Sequence, residues 1–513
     1  MQLPDIIKLD RYTMIRLVIA LLACFIFAGD GFSKDRPNVV VFLMDDLGYG
    51  DVSCYGATKV TTPQIDQLAA EGRRFTDAHS PASVCTPSRY NLLTGRYAWR
   101  TWNGSSTVWA NDPLLIDPDR YTLADLFGSQ GYSTACIGKW HLGFGDRNQP
   151  GWDDVLGPDY NRPLEPGPND VGFDYFWGFP HVGQFPHIII ENDRVQNLDS
   201  NQPLKITPDK RPGFEKDYLR RPRSGLAAAL GQSGPEAMFY EHEDLCDMLT
   251  QRTVRWIDEY ESDQPFFLYV AHRNIHGPMI PSERFKGKNE IGARGDFIAE
   301  MDWSVGQIVD ALQRKDIFDE TLFILTSDNG GTFKYRPIDY PEDHGHRING
   351  PLRGQKTTVY EGGHRVPFIA RWPKSIEAGS TNHEMIALTD LLATFSDYFN
   401  VELPSDAGED SFSMLAALLD APSTRLKRTV LVNDSFTALF SIRQGPWKLI
   451  LGQNGGGAGD SAEIDPNQSP VQLYNLDEDL GETKNLAEQH PDKVAHLITL
   501  LEQIRRSGRS HGW

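Results

Sequence analysis

A layered α/β domain is the fold class that this 513-residue chain predicts. Three observations point there. Val39-Val40-Val41-Phe42-Leu43, Pro265 to Val270 and Thr321 to Ser327 are apolar runs of the kind found in strands buried on both faces of a mostly parallel or mixed sheet. Segments with helical signals stand between them, which argues for helices flanking that sheet. Polar residues able to do chemistry sit just past the strands, where open α/β sheets place their sites. The large domain is expected over 36–405. A smaller C-terminal α+β domain with a short antiparallel sheet is expected over 406–513, its start lying between Pro404 and Lys427.

Residues 1–33 read as an export signal. Lys8, Arg11 and Arg16 form a basic region, and Leu17 to Ala28 is an apolar run too short for a membrane span. Met14 is an alternative start, because the signal is already complete from there. Cleavage between Gly29 and Ser33 leaves a periplasmic or secreted chain with no stable membrane span. Leu21-Leu22-Ala23-Cys24 resembles a lipoprotein box, a second reading that the apolar Phe25-Ile26-Phe27 argues against. An uncleaved anchor ranks third.

The elements follow in order. The run at Val39 ends in Met44-Asp45-Asp46-Leu47-Gly48-Tyr49-Gly50-Asp51. Thr62-Pro63 through Gly72 has an N-cap, an N1 proline and a terminal glycine, so it is a helix. In Cys85-Thr86-Pro87-Ser88-Arg89, Pro87 suits a first helical turn and Gly95 the end of that helix. Cys85 then lies at a helix N-terminus, which favours anions, and Arg89 lies one turn along the same face. Thr122 to Gly131 reads as another helix. It leads to a strand over Tyr132–Ile137 and to Gly138-Lys139-Trp140-His141-Leu142-Gly143, where Lys139 and His141 face the same way if the segment is extended.

Residues 203–236, rich in Pro, Gly, Lys and Arg, read as an inserted surface loop. His272 and His276 follow the strand that starts at Pro265. Phe297, Met301, Val305, Ile308, Val309 and Leu312 recur at helical spacing. Asp328 and Asn329 follow the Thr321 strand, and Lys356 sits on a glycine-bounded loop. Beyond residue 406, Thr429–Val432 and Trp447–Leu451 read as strands, Gln453–Pro470 as a flexible loop and Pro491–Arg506 as an amphipathic helix. No internal repeat is present.

Fifty Lys and Arg against seventy Asp and Glu give 50 − 70 = −20. That balance argues against nucleic-acid binding and repels any anionic substrate, so such a substrate needs a local basic pocket. Cys54, Cys136 and Cys246 fit no zinc spacing and read as packing residues. They allow at most one disulfide and require none. Asp45, Asp46, Asp328 and Asn329 offer oxygen ligands suited to a hard cation, calcium or magnesium. Each Asp pair alone would be an ordinary solvated turn. Two pairs past two buried strands make a shared cation the better reading.

Together these blocks resemble the type I sulfatases, in the family's order and over nearly the whole chain. The blocks are Asp45-Asp46-x-Gly-Tyr-Gly-Asp, Cys85-Thr-Pro-Ser-Arg89, Gly-Lys139-Trp-His141-Leu-Gly, His276-x-Pro, Asp328-Asn329-Gly, Lys356 before Tyr-Glu-Gly-Gly, and Leu473-Tyr474-Asn475-Leu476 through Gly481-Glu482-Thr483 to Asn485-Leu486. Gly345-His346-Arg347-Ile348-Asn349 is a less usual lead-in to the Lys356 block.

The resemblance implies an alkaline-phosphatase-like fold and hydrolysis of sulfate esters. It implies that a formylglycine-generating enzyme oxidises Cys85 to Cα-formylglycine, whose aldehyde hydrate is the nucleophile. Asp45, Asp46, Asp328 and Asn329 would hold one calcium ion (or magnesium), with the modified Cys85 completing the site. Arg89 would steady the hydrate, Lys139 and Lys356 would bind sulfate oxygens, His276 would protonate the leaving alcohol, and His141 would help take a proton from the second hydroxyl. His-x-Pro is the family form, so His272 is assigned a structural place.

The implied substrate is a sulfated glycan, with galactose-type or N-acetylhexosamine sulfates favoured, or an aryl sulfate. Phe179–His187, Ile190–Val195 and the basic insertion are the recognition loops, and Trp99, Trp102 and Trp109 are either stacking surfaces or core. Two rival readings stand: a phosphoesterase of the same superfamily, with Ser or Thr and two zinc ions, or an inactive glycan-binding protein.

Overall fold

The computed structural model describes residues 36–154, 156–182, 186–208, 230–234, 239–332, 344–419, 425–458, 465 and 467–512. The export signal, Met14 and Cys24 therefore lie outside the described residues. A ten-stranded mixed sheet organises the molecule. In chain order its strands are β1 (Asn38–Met44), β2 (Arg73–Phe75), β3 (Ser133–Lys139), β4 (Tyr175–Phe179), β5 (Ile190–Glu191), β6 (Arg194–Val195), β7 (Phe266–Ala271), β8 (Thr321–Ser327), β9 (Phe368–Arg371) and β10 (Ser380–Asn382). Their spatial order is β10-β2-β9-β8-β1-β7-β3-β4-β5-β6. The five central strands, β8 to β4 in that order, run parallel. Their C-terminal ends therefore share one edge.

The apolar runs are continuous because the sheet is covered on both sides. Val39, Val41 and Leu43 enter one core, with Leu92, Phe127 and Phe395. Val40, Phe42 and Met44 enter the other, with Leu249, Met301 and Val305. The helices that cover the two faces are α1 (Pro63–Glu71), α2 (Cys85–Thr94), α3 (Leu123–Ser129), α4 (Leu245–Glu259), α5 (Ala293–Arg314) and α6 (Asp390–Tyr398). The layered α/β expectation thus holds, as a helix–sheet–helix sandwich.

A separate antiparallel sheet follows. It consists of β11 (Val430–Asp434), β12 (Phe440–Gln444), β13 (Trp447–Ile450) and β14 (Gln472–Asn475) in sequential order. Helix α7 (Pro491–Ser507) packs Leu497, Leu501 and Ile504 into its core.

The differences from expectation are local. In the 203–236 segment, Lys205–Pro208 and Leu230–Ser233 pair as antiparallel strands, so the inserted loop has an ordered base. Two C-terminal strands, β12 and β14, lack a long apolar run and were not expected. The four described cysteines are all free. The N-cap expected from Thr62 is absent, and its place is taken by a residue distant in sequence. Asp302, on α5, accepts from the backbone N–H groups of Gln64 and Ile65 at 3.1 and 3.0 Å. Those are donors that the first turn of α1 leaves unpaired. Burial lifts the Asp302 carboxyl to about 6 against those bonds. Asp302→Ala is expected to lower unfolding stability by about 1–2 kcal/mol, and Asp302→Asn by less. Urea titration of the three proteins checks this, and equal midpoints would refute the capping role.

Candidate active site

Parallel pairing of β1 with β8 runs from Asn38 opposite Thr321 to Met44 opposite Ser327. The loops after both strands therefore leave the sheet side by side. Asp45 and Asp46 come from one, Asp328 and Asn329 from the other, and all four are fully buried. The Asp46 N–H donates to Asp328 Oδ1 at 3.2 Å, and Asn329 Nδ2 donates to Asp46 Oδ1 at 2.8 Å. Asp46 adopts a left-handed φ of 63°, which turns the chain into the site. Gly330 closes the second loop with its N–H on Gly363 O at 3.0 Å, and a Cβ there would run into the Gly362 carbonyl.

Helix α2 delivers Cys85 as its first residue and ends at Gly95 with φ 63°. Asp45, Cys85 and His276 bring one ligand atom each within 4.8 Å of one another. Arg89 lies one turn on. Its Nη2 meets Asp328 Oδ2 at 2.8 Å, and its Nη1 donates to Lys139 O at 2.9 Å. Lys139, the last residue of β3, places Nζ 2.6 Å from Asp45 Oδ2. Lys356 Nζ sits 2.6 Å from Asp46 Oδ1. These three cations are the local basic pocket that the acidic chain needs. His276 Nε2 lies 3.9 Å from Asp46 Oδ2, and its Nδ1 is 2.6 Å from Gly277 O, so Nδ1 carries the proton. His272 is fully buried and stacks on Phe42 at 5.2 Å, a core position.

The expected extended geometry at Lys139–His141 is corrected. Gly138 at φ 120° and His141 at φ 57° break the pleat. His141 instead packs edge-on against His181 at 4.0 Å, and neither of its ring nitrogens has a hydrogen-bond partner. His181 in turn stacks on Trp109 at 5.9 Å and approaches His276 at 6.3 Å. This histidine wall was legible only as part of the Phe179–His187 loop. Of the other tryptophans, Trp99 is covered by Tyr97 and Arg100, while Trp102 is 46% exposed.

Two supports were missed in the sequence. Asp51, in the block that follows β1, is fully buried, with His346 Nε2 at 2.8 Å and Arg294 alongside. Asn349 Oδ1 accepts from the Gly331 N–H at 2.9 Å, and the Gly50 N–H donates to Ile348 O at 2.8 Å. The less usual Gly345–Asn349 segment is therefore a brace for both ligand loops.

The second support comes from the C-terminal sheet. Thr357 has a left-handed φ of 81°, strained for a β-branched residue. It is pinned by Thr357 N–Ser83 O at 2.7 Å, Phe436 N–Thr357 O at 3.0 Å and Ala458 N–Thr357 Oγ1 at 3.1 Å. Val359 N–Gly455 O at 2.9 Å adds a fourth tie. Lys448 of β13 pairs with Glu361 and Glu482 at 2.8 Å each, and Arg443 of β12 pairs with Asp77 at 2.8 Å. His79, Glu361 and His364 are close enough to hold an ion. Lys448, Arg365 and Arg443 instead neutralise the acids there, so the cluster fastens the two sheets together.

Burial would raise the Asp45 carboxyl, but Lys139, His276, Arg89 and Lys356 overrule it and hold it below the usual range. Asp328 goes the other way: burial and the Asp45 charge push it up to about 7. Burial drives His276 down to about 3 and His141 well below its ordinary value. It raises the Cys85 thiol against the pull of Lys139 and Lys356, so the side chain is a thiol and a poor nucleophile. Three buried oxygens, Asp45 Oδ1, Asp46 Oδ2 and Asn329 Oδ1, have no hydrogen-bond partner among the described residues. With the carboxylates of Asp45, Asp46 and Asp328 within 4.8 Å, they form an all-oxygen donor set that fits a hard divalent cation. It does not fit the nitrogen-rich pair of zinc sites of the rival phosphoesterase reading.

Similarity to known proteins gives the family. The family model described as Sulfatase matches residues 37–401. The chain belongs to the sulfatase family. An N-acetylgalactosamine-6-O-sulfatase of Bacteroides thetaiotaomicron is 34% identical over 495 residues, covering 93% of this chain and 94% of that protein. Human arylsulfatase A is 30% identical over 485 residues, covering 91% and 87%. A solved Bacteroides thetaiotaomicron sulfatase structure from work on the metabolism of multiple glycosaminoglycans superposes with a TM-score of 0.81 at 33% identity. It covers 92% of this chain and 100% of that one. The sulfatase is therefore an enzyme that hydrolyses sulfate esters on an alkaline-phosphatase-like fold.

Two outcomes follow for this sulfatase. A Cβ at Gly455 would press on the Tyr360 ring at 2.6 Å. Gly455→Val is therefore expected to shift the Lys356 loop and lower kcat/KM by about tenfold or more, although Gly455 lies far from Lys356 in sequence. Unchanged kinetics would refute the brace. His272, held at about 3 by burial, protonates at its ordinary value only in the unfolded chain. Stability is full above about pH 6.5 and falls as pH drops toward 3, by about 1.4 kcal/mol per pH unit for this group. Urea unfolding of His272→Gln at pH 6.5 and 4.5 should show a shallower pH slope than the parent. Identical slopes would exclude the assignment.

Proposed function

We propose that this sulfatase is exported and removes sulfate from sulfated glycans, with N-acetylgalactosamine 6-sulfate units as the first choice. The reading of the sugar is supported by the N-acetylgalactosamine-6-O-sulfatase relative. In this reading residues 36–405 are the catalytic unit and 406–513 a second unit that braces it. No helix among the described residues is long and apolar enough to cross a membrane. The reading of export rests on the basic and apolar pattern of residues 1–33.

One observation carries the mechanism: Cys85, at the N-terminus of a buried helix, shares a small space with three unpartnered carboxyl and amide oxygens and three cations. Asp45, Asp46, Asp328 and Asn329 would hold calcium (or magnesium), completed by residue 85, and the ion would supply charge stabilisation to a sulfate oxygen. Oxidised to formylglycine by a formylglycine-generating enzyme, residue 85 would supply an aldehyde hydrate. That group would supply one hydroxyl to take the sulfuryl group from the alcohol and a second whose deprotonation would release sulfate and restore the aldehyde.

The chain's own residues do the rest. Lys139 and Lys356 bind sulfate oxygens as point charges in a site closed to water. Arg89, fixed by Asp328 and the Lys139 carbonyl, steadies the hydroxyl pair at residue 85. His276 has its Nδ1 proton committed to Gly277 O, so Nε2 faces the leaving oxygen. The negative charge of a bound sulfate raises that ring's proton affinity and loads it as the acid. His141, with both nitrogens unengaged, takes the proton from the second hydroxyl. His181 and Trp109 form the wall against which the sugar lies.

Mass spectrometry of the Cys85 peptide, after co-expression with a formylglycine-generating enzyme, should find the aldehyde or its hydrate. Cys85→Ala should fold and lose turnover, and full activity in it would sink the mechanism. His276→Ala should lose about a hundredfold or more in kcat on a sugar sulfate and much less on 4-nitrophenyl sulfate, whose phenolate leaves without a proton. Equal losses on the two substrates would move the acid role elsewhere.

A further inference from the structure

A cavity of about 560 Å³ opens between the segment that follows α2, strand β12 and the last turn of α7. Arg96, Trp99, Arg100, Phe440 and Arg505 line it, and no carboxylate does. In a chain with seventy acidic and fifty basic side chains, a lining with three arginines and no carboxylate is a local departure from the overall charge.

The cavity is firmly built. Glu409 and Asp410, which do not line it, fix two of the arginines: Arg96 Nε–Glu409 Oε1 is 3.0 Å and Arg100 Nη2–Asp410 Oδ1 is 2.8 Å. The Arg100 side chain is only 5% exposed and lies 4.1 Å over the Trp99 ring. Tyr97 stacks on the same tryptophan at 5.6 Å. With its ring covered in this way, Trp99 is left to act through its edge, where the buried Nε1 has no hydrogen-bond partner. Arg505 is exposed, 5.0 Å from the Phe440 ring, and forms no ion pair with any described residue. The walls therefore offer the Arg505 guanidinium and the Trp99 Nε1–H as donors, with the Ser105 hydroxyl able to donate or accept and no lining carboxylate, which suits an anionic oxygen group.

Ten residues of helix separate the nucleophile from this region, so α2 sets it on the order of 15 Å from Cys85. We propose that this cavity is a second, non-catalytic site that holds a sulfate or carboxylate of a neighbouring unit of a sulfated glycan chain. It would tether the polymer while the active site works on another unit. The proposal rests on the reading of the substrate as a sulfated glycan. A tether of this kind adds affinity for long chains through a second attachment and leaves the chemical step untouched.

The test reads binding without turnover. Full-length Cys85→Ala protein is titrated calorimetrically with chondroitin 6-sulfate, with and without Arg505→Glu, and with inorganic sulfate as the control probe. Arg505→Glu is expected to weaken polymer binding by about tenfold, with a shallower salt dependence. In the active enzyme the same substitution should raise KM for the polymer and leave kcat and KM for 4-nitrophenyl sulfate unchanged. Arg505→Ala, a milder change at an exposed position, should fall between the two. Polymer affinity unaltered within about twofold overturns the proposal. So does displacement of the polymer by inorganic sulfate at an equal concentration of sulfate groups, which would mark a site for the free anion. Failure of the active enzyme on every sulfated sugar would instead remove the glycan reading itself, whatever Arg505 does to binding.

Discussion

Three carboxylates buried within a few ångströms of one another dictate much of what surrounds them. Asp45, Asp46 and Asp328 are fully enclosed, and burying uncompensated charge costs several kcal/mol per ion. The fold answers with one cation from each of three structural sources: Arg89 from α2, Lys139 from the end of β3, and Lys356 from a loop pinned by the C-terminal sheet. Each answer constrains the fold. The parallel register of β1 and β8 must bring the acids together, α2 must start at the sheet edge, and the second sheet must hold the Lys356 loop in a left-handed turn. In the proposed mechanism catalysis and folding draw on the same ion pairs, because the cations that make the acids tolerable would also receive the sulfate.

The parts of this arrangement that the sequence made legible were those carried by local pattern. β1, β7 and β8 were visible as apolar runs because both sheet faces are covered. α2 was visible from Pro87 and Gly95, and the acids from their position just past the strands. What stayed hidden depends on tertiary contact. Thr62 carries the right chemistry for a cap, but Asp302 of α5 supplies the cap through the fold. β12 and β14 are short and half polar because one face packs on the α7 side through Ile442 and Leu473, while the other meets polar groups of the large domain through Arg443 and Tyr474. Lys139 and His141 were expected on an extended chain, and two positive φ angles bring them to the site by another route. His181 takes its place from His141, Trp109 and His276, and no sequence spacing encodes those contacts.

The same logic separates the two polar clusters near Lys356. The acids of the catalytic cluster keep unpartnered oxygens, whereas His79, Glu361 and His364 are hemmed in by Lys448, Arg365 and Arg443. Proximity of ligand-type residues is common to both. The number of lone pairs left over distinguishes a place that can take an ion from one that is already neutralised.

The enclosure of Cys85 sets a timetable. At 2% exposure, under the Lys356 loop and at the end of a helix with no exposed face, its thiol is out of reach of any second protein once the chain has closed. An enzyme that oxidises this residue has its opportunity while the segment is still extended. The window narrows as β7 and β8 join β1, and it shuts when the last-made sheet grips Thr357. The second sheet, made after the first, would thus time the proposed modification as well as support the finished site.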